Sequence, residues 1–196
     1  NCIIYNTGVG DRGLQLGSGD GNVNKIWNCI IYDWDDRGIE GWGIENYIYN
    51  VTVKDCGSWG INQWPPSPKV TYLKNCLCDG NGSYDIYGGD NLNVDYCATG
   101  DGTADDYGGT GNRANQTFTF VDEANDNFHL ASNDAGARNY GTDLSSDSNL
   151  SFNDDIDGET RSGTWDIGAD EETPVEFVST IMAVSYTHLR AHETRH

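Results

Sequence analysis

Short apolar runs recur along the first half of the chain, each bounded by Gly, Asn or Asp. Runs such as VTVKDC alternate apolar and polar residues, which is typical of β-strands. A helical solenoid would need ten or more residues with apolar positions at 3.6-residue spacing in each period, and the sequence has no such segment. The pattern therefore predicts an all-β chain.

Two ladders of apolar positions repeat along these runs. One ladder consists of cysteines at intervals of 27, 27, 20 and 21 residues: Cys2, Cys29, Cys56, Cys76 and Cys97. Three residues before the last four of them stand Ile26, Val53, Leu73 and Val94. The second ladder lies in DRGL, DRGI, WGIN and YDIY and consists of Leu14, Ile39, Ile61 and Ile86. Two ladders with one period predict a right-handed parallel β-helix, whose coils stack about 4.8 Å apart.

The composition changes along the chain and divides it into five predicted segments. They are β-helix coils (1–97), a Gly/Asp-rich loop (98–116), a C-terminal cap region (117–171), a linker or the start of an anchor (172–184) and a non-native tail (185–196). The tail holds three of the four histidines and resembles translated adapter sequence. Because the chain begins on an apolar segment without Met, we expect further coils to precede it.

The six cysteines suggest either a disulfide framework or a core ladder. Stacked side chains have Cβ atoms about 4.8 Å apart, whereas a disulfide needs about 3.5 to 4.5 Å. Zinc needs four convergent ligands, and only Cys76 and Cys78 are closely spaced, with His129 far away in sequence. We therefore predict free, buried thiols.

Charge and missing motifs exclude several functions. Asp and Glu number 31 against 11 Lys and Arg, a net charge of -20, which repels nucleic acid and anionic membranes. Aromatic residues make up 11% of the chain, which favours a packed structure over a disordered one. No apolar run approaches the roughly 18 residues of a membrane span. The absence of histidine before residue 129 argues against a His-dependent hydrolase.

The segment YDWDDRG is the first candidate for chemistry. Asp33 and Asp35 share a face if the segment is extended, with Asp36 and Arg37 beside them, and DRG recurs at 11–13. Carboxylates beside an arginine on an outer face suit acid/base catalysis on a polysaccharide, or calcium binding. The simpler alternative is a solvated turn with a repeated surface ion pair.

A second acidic segment resembles a calcium loop. Asn153, Asp155 and Asp157 before a glycine follow EF-hand spacing, but Thr164 stands where the bidentate Glu is required. Calcium is the only cofactor that the sequence suggests, and an acidic turn without metal is the alternative.

Aromatic residues interspersed with Gly and Asp are typical of surfaces that stack against sugars. The tryptophans predicted to bind carbohydrate are Trp34, Trp42, Trp59 and Trp64; Tyr47, Tyr49, Tyr84 and Tyr87 belong to the same aromatic group. The alternative is core packing, and we expect about a third of the group to be exposed.

One region resembles a known class of proteins. FVDEANDNFHLAS, DAGA, GTDLS and DIDGETRSGTWDIGADE, within residues 120–171, resemble the C-terminal region of extracellular and virus-associated right-handed β-helix repeat proteins. With the coils, the resemblance covers residues 1–171, and WDIGADE is its most specific part. Asn127 departs from it, because an acidic residue is common there, which argues against a metal ligand at that position. Similar proteins include pectate-lyase-like enzymes, phage spikes and adhesins.

Three functions follow as hypotheses. The first is an extracellular, cell-surface or virion β-helix whose acidic, aromatic face binds a polysaccharide or cell-surface glycan. The second is a polysaccharide lyase or glycoside hydrolase that uses Asp33, Asp35, Asp36 and Arg37. The third is a structural stalk or adhesin. A virion protein of this kind is expected to be a homotrimer.

Overall fold

The computed structural model describes residues 1–17, 22–63 and 70–173, and it shows a parallel β-solenoid, which confirms the predicted fold class. The strands are β1 (Cys2–Tyr5), β2 (Arg12–Leu16), β3 (Val23–Tyr32), β4 (Arg37–Gly41), β5 (Glu45–Lys54), β6 (Trp59–Gln63), β7 (Val70–Lys74), β8 (Leu77–Asp79), β9 (Tyr84–Tyr87), β10 (Leu92–Asp95), β11 (Ala98–Thr99), β12 (Phe120–Asp122) and β13 (Asn127–Leu130). Two single-turn 3₁₀ helices, Thr103–Asp105 and Glu123–Asn125, follow β11 and β12. No helix in the described ranges is long and apolar enough to cross a membrane.

Each coil of the solenoid has three faces. The first face contains the N-terminal halves of β3 and β5, followed by β7 and β10. The second face contains β1, the C-terminal halves of β3 and β5, then β8 and β11. The third face is the four-stranded parallel sheet β2-β4-β6-β9. Stacking four coils in this way encloses one narrow apolar core.

Left-handed backbone makes the two bends that join these faces. The bend between the first and second faces lies at Asn28, Asn50, Asn75 and Tyr96, with φ of 49°, 48°, 52° and 52°. The bend after the second face lies at Asp33, Asp55 and Gly80, with φ of 59°, 53° and 70°. Asn, Asp and Gly adopt this conformation at least cost, so the repeated turn residues of the sequence mark the corners of the coil.

The register confirms one predicted ladder and corrects the other. Leu14, Ile39, Ile61 and Ile86 stack in register as expected. In the cysteine ladder, however, Val51 aligns with Cys29, so Cys56 does not belong to it. Likewise Ile48, and not Val53, aligns with Ile26.

The ladder was misread because Cys56 follows the second bend, whereas the other cysteines follow the first. Asp55 at its bend resembles the Asn before Cys29 and Cys76, and Val51 fills the same small core position that a cysteine would. All six thiols are free, as predicted; Cys2 is exposed and the others are buried.

Residues 117–171, predicted as a cap region, pack along the side of the solenoid. Phe120, Phe128 and Ile167 pack on Ile30 and Leu77, which point outward from the second face. On the first face, Tyr47 and Tyr49 pack against Leu144, Leu150 and Trp165. This C-terminal region therefore covers the first and second faces, and its contacts extend from Asn1 to Arg113.

Side-chain bonds between distant residues hold the C-terminal region in place. The side-chain amide of Asn50 donates to the backbone carbonyl of Gly168 at 3.0 Å, and the side-chain oxygen Oδ1 of Asn75 accepts the Thr142 N–H at 2.9 Å. Arg161, buried at the interface, pairs with Glu171 at 3.1 Å and donates to the carbonyl of Ala169. Buried polar groups need such partners, so these bonds fix how the region docks.

Candidate functional site

The outward side of the third face carries two columns of large polar and aromatic side chains. The first column is Arg12, Arg37, Trp59 and Tyr84, and the second is Gln15, Glu40, Asn62 and Tyr87. Gly38 follows Arg37 and faces the core, where an added Cβ would lie 2.3 Å from Val53 Cγ1. A side chain at this position would collide with the core, so glycine is required there.

Glu40 is fully buried in the centre of this face and has three partners. Arg12 Nε lies 3.2 Å from its Oε2, Gln15 Nε2 donates to the same oxygen at 3.3 Å, and Arg37 Nη1 contacts Oε1. A buried carboxylate is tolerated only when it is paired in this way. Because Arg37 also contacts Asp36 Oδ2 at 3.3 Å, its guanidinium is held in one position.

From Arg37 a row of neighbouring planar groups runs across the face. The guanidinium lies over the Trp59 ring, 4.6 Å from its centroid. The rings of Trp59 and Tyr87 are 5.6 Å apart at 18°, and those of Tyr87 and Tyr84 are 5.6 Å apart at 16°. Tyr84 and Tyr87 are 47% and 39% exposed. The row therefore ends in two aromatic rings that are open to solvent.

Beside this row lies a buried amide without a partner. Asn62 is 1% exposed, and both its Nδ2 and its Oδ1 lack hydrogen-bond partners among the described residues. It stacks in register between Glu40 and Tyr87. A buried polar group left unpaired costs about 1 to 3 kcal/mol, so a polar atom that reaches this amide from outside the described residues would be stabilised there.

A shallow depression of about 320 Å³ adjoins the tyrosines. Its lining residues are Gly88, Gly89, Asp90, Leu92, Asp106 and Tyr107. The hydroxyl of Tyr107 accepts the Gly88 N–H at 2.9 Å, which fixes the chain directly after Tyr87. The aromatic row thus leads into a concave, partly acidic surface.

The structure separates the carboxylates that we predicted to be catalytic. Asp33 occupies the second bend, where its pKa is raised by burial and then by the nearby carboxylates of Asp126 and Asp55. Asp35 accepts the Gly10 N–H at 2.9 Å, and Asp36 pairs with Arg37. Of the four predicted residues, only Asp36 and Arg37 lie together at the third face. The catalytic role of the four residues stays a prediction.

The four tryptophans predicted to bind sugar have different surroundings. Trp34 packs against the core and lies under Gly10 and Gly13. Trp42 is half-buried, with its backbone N–H bonded to the carbonyl of Leu16. Trp59 belongs to the aromatic row, and Trp64 lies outside the described residues.

Two of the seven described aromatics of the predicted group are exposed, Tyr84 and Tyr87, close to the expected third. The second ladder contained the signal for one of them. Tyr87 directly follows Ile86 in YDIY, so alternation along the strand places it outward. Tyr84 stands two positions before Ile86, where alternation alone would place it inward; in the structure it aligns with Trp59. Glu40 and Asn62 had no such signal, because a charged or polar residue one position after a ladder residue is ordinary on a solvated strand.

The predicted calcium loop forms a compact turn. Asp155 is buried, and its Oδ1 accepts the N–H groups of Asp157 and Glu159, while Oδ2 accepts that of Glu171. The carbonyl of Asn153 accepts the Arg161 N–H, and Asp157 Oδ2 lies 3.1 Å from His129 Nε2. The three predicted ligands have separate partners, and calcium binding by them stays a prediction.

No family model, curated protein or solved structure matches this chain. The resemblance of residues 120–171 to extracellular and virus-associated β-helix proteins therefore stays a prediction. The functional interpretation rests on the third face.

Proposed function

We propose that the third face binds a neutral carbohydrate, with Tyr84 and Tyr87 stacking against sugar rings. The observation that carries the proposal is the pairing of two exposed, near-parallel tyrosine rings with the buried, unpartnered amide of Asn62. Sugars present apolar ring faces edged by hydroxyl groups, so they need a flat aromatic surface beside fixed donors and acceptors.

The charge of the protein favours neutral over acidic glycans. A net charge of -20 repels polyanions, and both arginines of the face are engaged by Glu40. The described part of this face therefore offers no free cation to pair with the carboxylates of a uronate-rich polysaccharide.

A glycan array that contains neutral and acidic polysaccharides tests the proposal. We expect binding to neutral glycans. Tyr87→Ala should weaken this binding about tenfold or more, because it removes one stacking contact, and a loss of about 1.4 kcal/mol lowers affinity tenfold. Tyr140→Ala is the matched control: Tyr140 is 44% exposed in the C-terminal region, and we expect its removal to leave binding unchanged.

Three outcomes would overturn the proposal. The first is that no glycan binds, which would favour a structural stalk. The second is that only acidic glycans bind, and the third is that Tyr87→Ala and Tyr140→Ala weaken binding equally. Release of new reducing ends from a bound neutral glycan, or of unsaturated uronates from an acidic one, would support the enzyme hypothesis.

A further inference from the structure

Three metal-ligating side chains converge at the outer edge of the C-terminal region, away from the third face. They are His129 on β13, Asp157 in the turn after Asp155, and Asp170 near the end of the described chain. One ligand atom from each lies within 4.8 Å of the other two, and His129 Nε2 is 3.1 Å from Asp157 Oδ2. The three residues come from three separate segments, so the fold alone brings them together.

Asn127 determines which imidazole nitrogen faces the carboxylates. Its Oδ1 accepts the backbone N–H of His129 at 3.3 Å, which identifies that atom as the carbonyl oxygen. The same oxygen lies 2.5 Å from His129 Nδ1, so Nδ1 carries the proton. In the neutral ring, Nε2 then presents its lone pair towards Asp157, which is the arrangement of a metal-binding histidine whose other nitrogen is hydrogen-bonded.

Asp170 is oriented in a similar way. It is 7% exposed, and its Oδ2 accepts the Leu130 N–H at 2.7 Å. The backbone next to His129 thus fixes the carboxylate that faces it. Three lone-pair donors, two of them negative, converge on one place, and such an arrangement is stabilised by a cation between them.

We propose that His129, Asp157 and Asp170 bind a divalent transition-metal ion of the zinc class. An imidazole nitrogen with two carboxylates suits zinc, whereas calcium and magnesium prefer ligands that are all oxygen. The His129 and Asp157 side chains are 28% and 57% exposed, so the ion has access and keeps water as its remaining ligand. This set differs from the predicted calcium loop, because it shares only Asp157 with it.

Metal binding at this place cross-links β13 to two turns of the C-terminal region. Since that region has few strands of its own, the ion stabilises the part of the chain that covers the first and second faces. The proposal is independent of carbohydrate binding at the third face.

Isothermal titration calorimetry of the full chain with zinc at neutral pH tests the proposal. The background protein carries Cys2→Ser, His188→Gln, His192→Gln and His196→Gln, because an exposed thiol and the other imidazoles would bind zinc themselves. We expect one ion per chain, with loss of binding in His129→Gln. Asp157→Asn weakens binding by about tenfold or more, and so does Asn127→Ala through the lost orientation of the ring.

Glu159→Gln is the matched control, because Glu159 is an exposed carboxylate in the same turn that lies outside the cluster. We expect unchanged affinity in this variant, and circular dichroism checks that all variants are folded. The proposal is overturned if zinc does not bind, which is the result for a simple His129–Asp157 ion pair. It is also overturned if binding survives both His129→Gln and Asp157→Asn, or if calcium binds more tightly than zinc.

Discussion

The third face and the other two faces of the solenoid carry similar aromatic side chains but have different neighbours. Tyr47 and Tyr49 on the first face are buried under Leu144, Leu150 and Trp165 of the C-terminal region. On the third face, Tyr84 and Tyr87 are exposed. Aromatic content therefore does not identify a binding surface in this fold. What distinguishes the third face is that the C-terminal region does not cover its aromatic rings.

Buried asparagines show the same difference. Asn50 and Asn75 at the first bend are paired with each other at 3.1 Å and with the C-terminal region. Asn62 on the third face is equally buried, and its amide has no partner within the described chain. The asparagines of the covered bend thus have partners, whereas the buried asparagine of the open face has none among the described residues. This contrast is the physical basis of the proposed function.

The largest expected effect comes from breaking the covered side at Arg161. In Arg161→Met, Glu171 loses its partner in a buried site, and the carbonyls of Gly168 and Ala169 lose a donor. Removal of one member of a buried pair costs about 3 to 5 kcal/mol. We expect a loss of that size in the free energy of unfolding, measured by urea denaturation.

Lys25→Met is the control for this variant. Lys25 is an exposed cation that donates to the Asn149 carbonyl of the same region, and surface contacts of this kind contribute about 1 kcal/mol or less. Similar losses in the two variants would contradict the role given to Arg161.

Asn50 provides the next test, at the bend between the two covered faces. Asn50→Ala removes the bond to Gly168 and forces a left-handed backbone on alanine, so we expect a loss of about 3 kcal/mol. Asn50→Gly keeps the backbone conformation and should lose about 1 kcal/mol less. At the exposed second bend, Asp33→Gly removes no such bond, and we expect a change within about 1 kcal/mol. Equal effects at both bends, measured by denaturation, would show that the asparagine bonds contribute little.

The smallest effect concerns the core beneath the open face. Cys56 lies under Gly38 of this face, and burial raises its pKa to about 12. An unfolded thiol ionises near pH 8.5 to 9, whereas the folded one keeps its proton, so stability falls as pH rises from about 9 towards 12. We expect the wild-type protein to lose about 1.5 kcal/mol more between pH 8 and pH 10 than Cys56→Ala. An identical pH dependence in the two proteins would mean that solvent reaches this thiol in the folded state.

Much of the solenoid could be predicted because its information is local and periodic. The Leu14 to Ile86 ladder gave the register of the third face, and with it the outward position of Tyr87, which directly follows Ile86. The cysteine ladder failed at Cys56 because Asp and Asn mark both bends and the spacing alone does not tell them apart.

The covered faces and the metal cluster could not be predicted, because their contacts join residues far apart in sequence. Asn50 and Gly168 are 118 positions apart in the sequence, and Asp170 and Leu130, which share a hydrogen bond, are 40 positions apart. No periodicity connects such pairs, and the C-terminal region has only two short strands, β12 and β13, to indicate how it folds. Asn62 likewise looks ordinary in sequence, because its lack of partners depends on its neighbours in space.

Tyrosine footprinting of the folded protein, with and without the neutral glycan that binds best on the array, tests the central contrast between open and covered faces most directly. Without glycan, we predict rapid modification of Tyr84, Tyr87 and Tyr140, and none of Tyr47 and Tyr49. With glycan, modification of Tyr84 and Tyr87 should be suppressed, while that of Tyr140 stays unchanged. Modification of Tyr47 and Tyr49 at the rate of Tyr84, or a bound glycan that leaves Tyr84 and Tyr87 unprotected, would contradict the account.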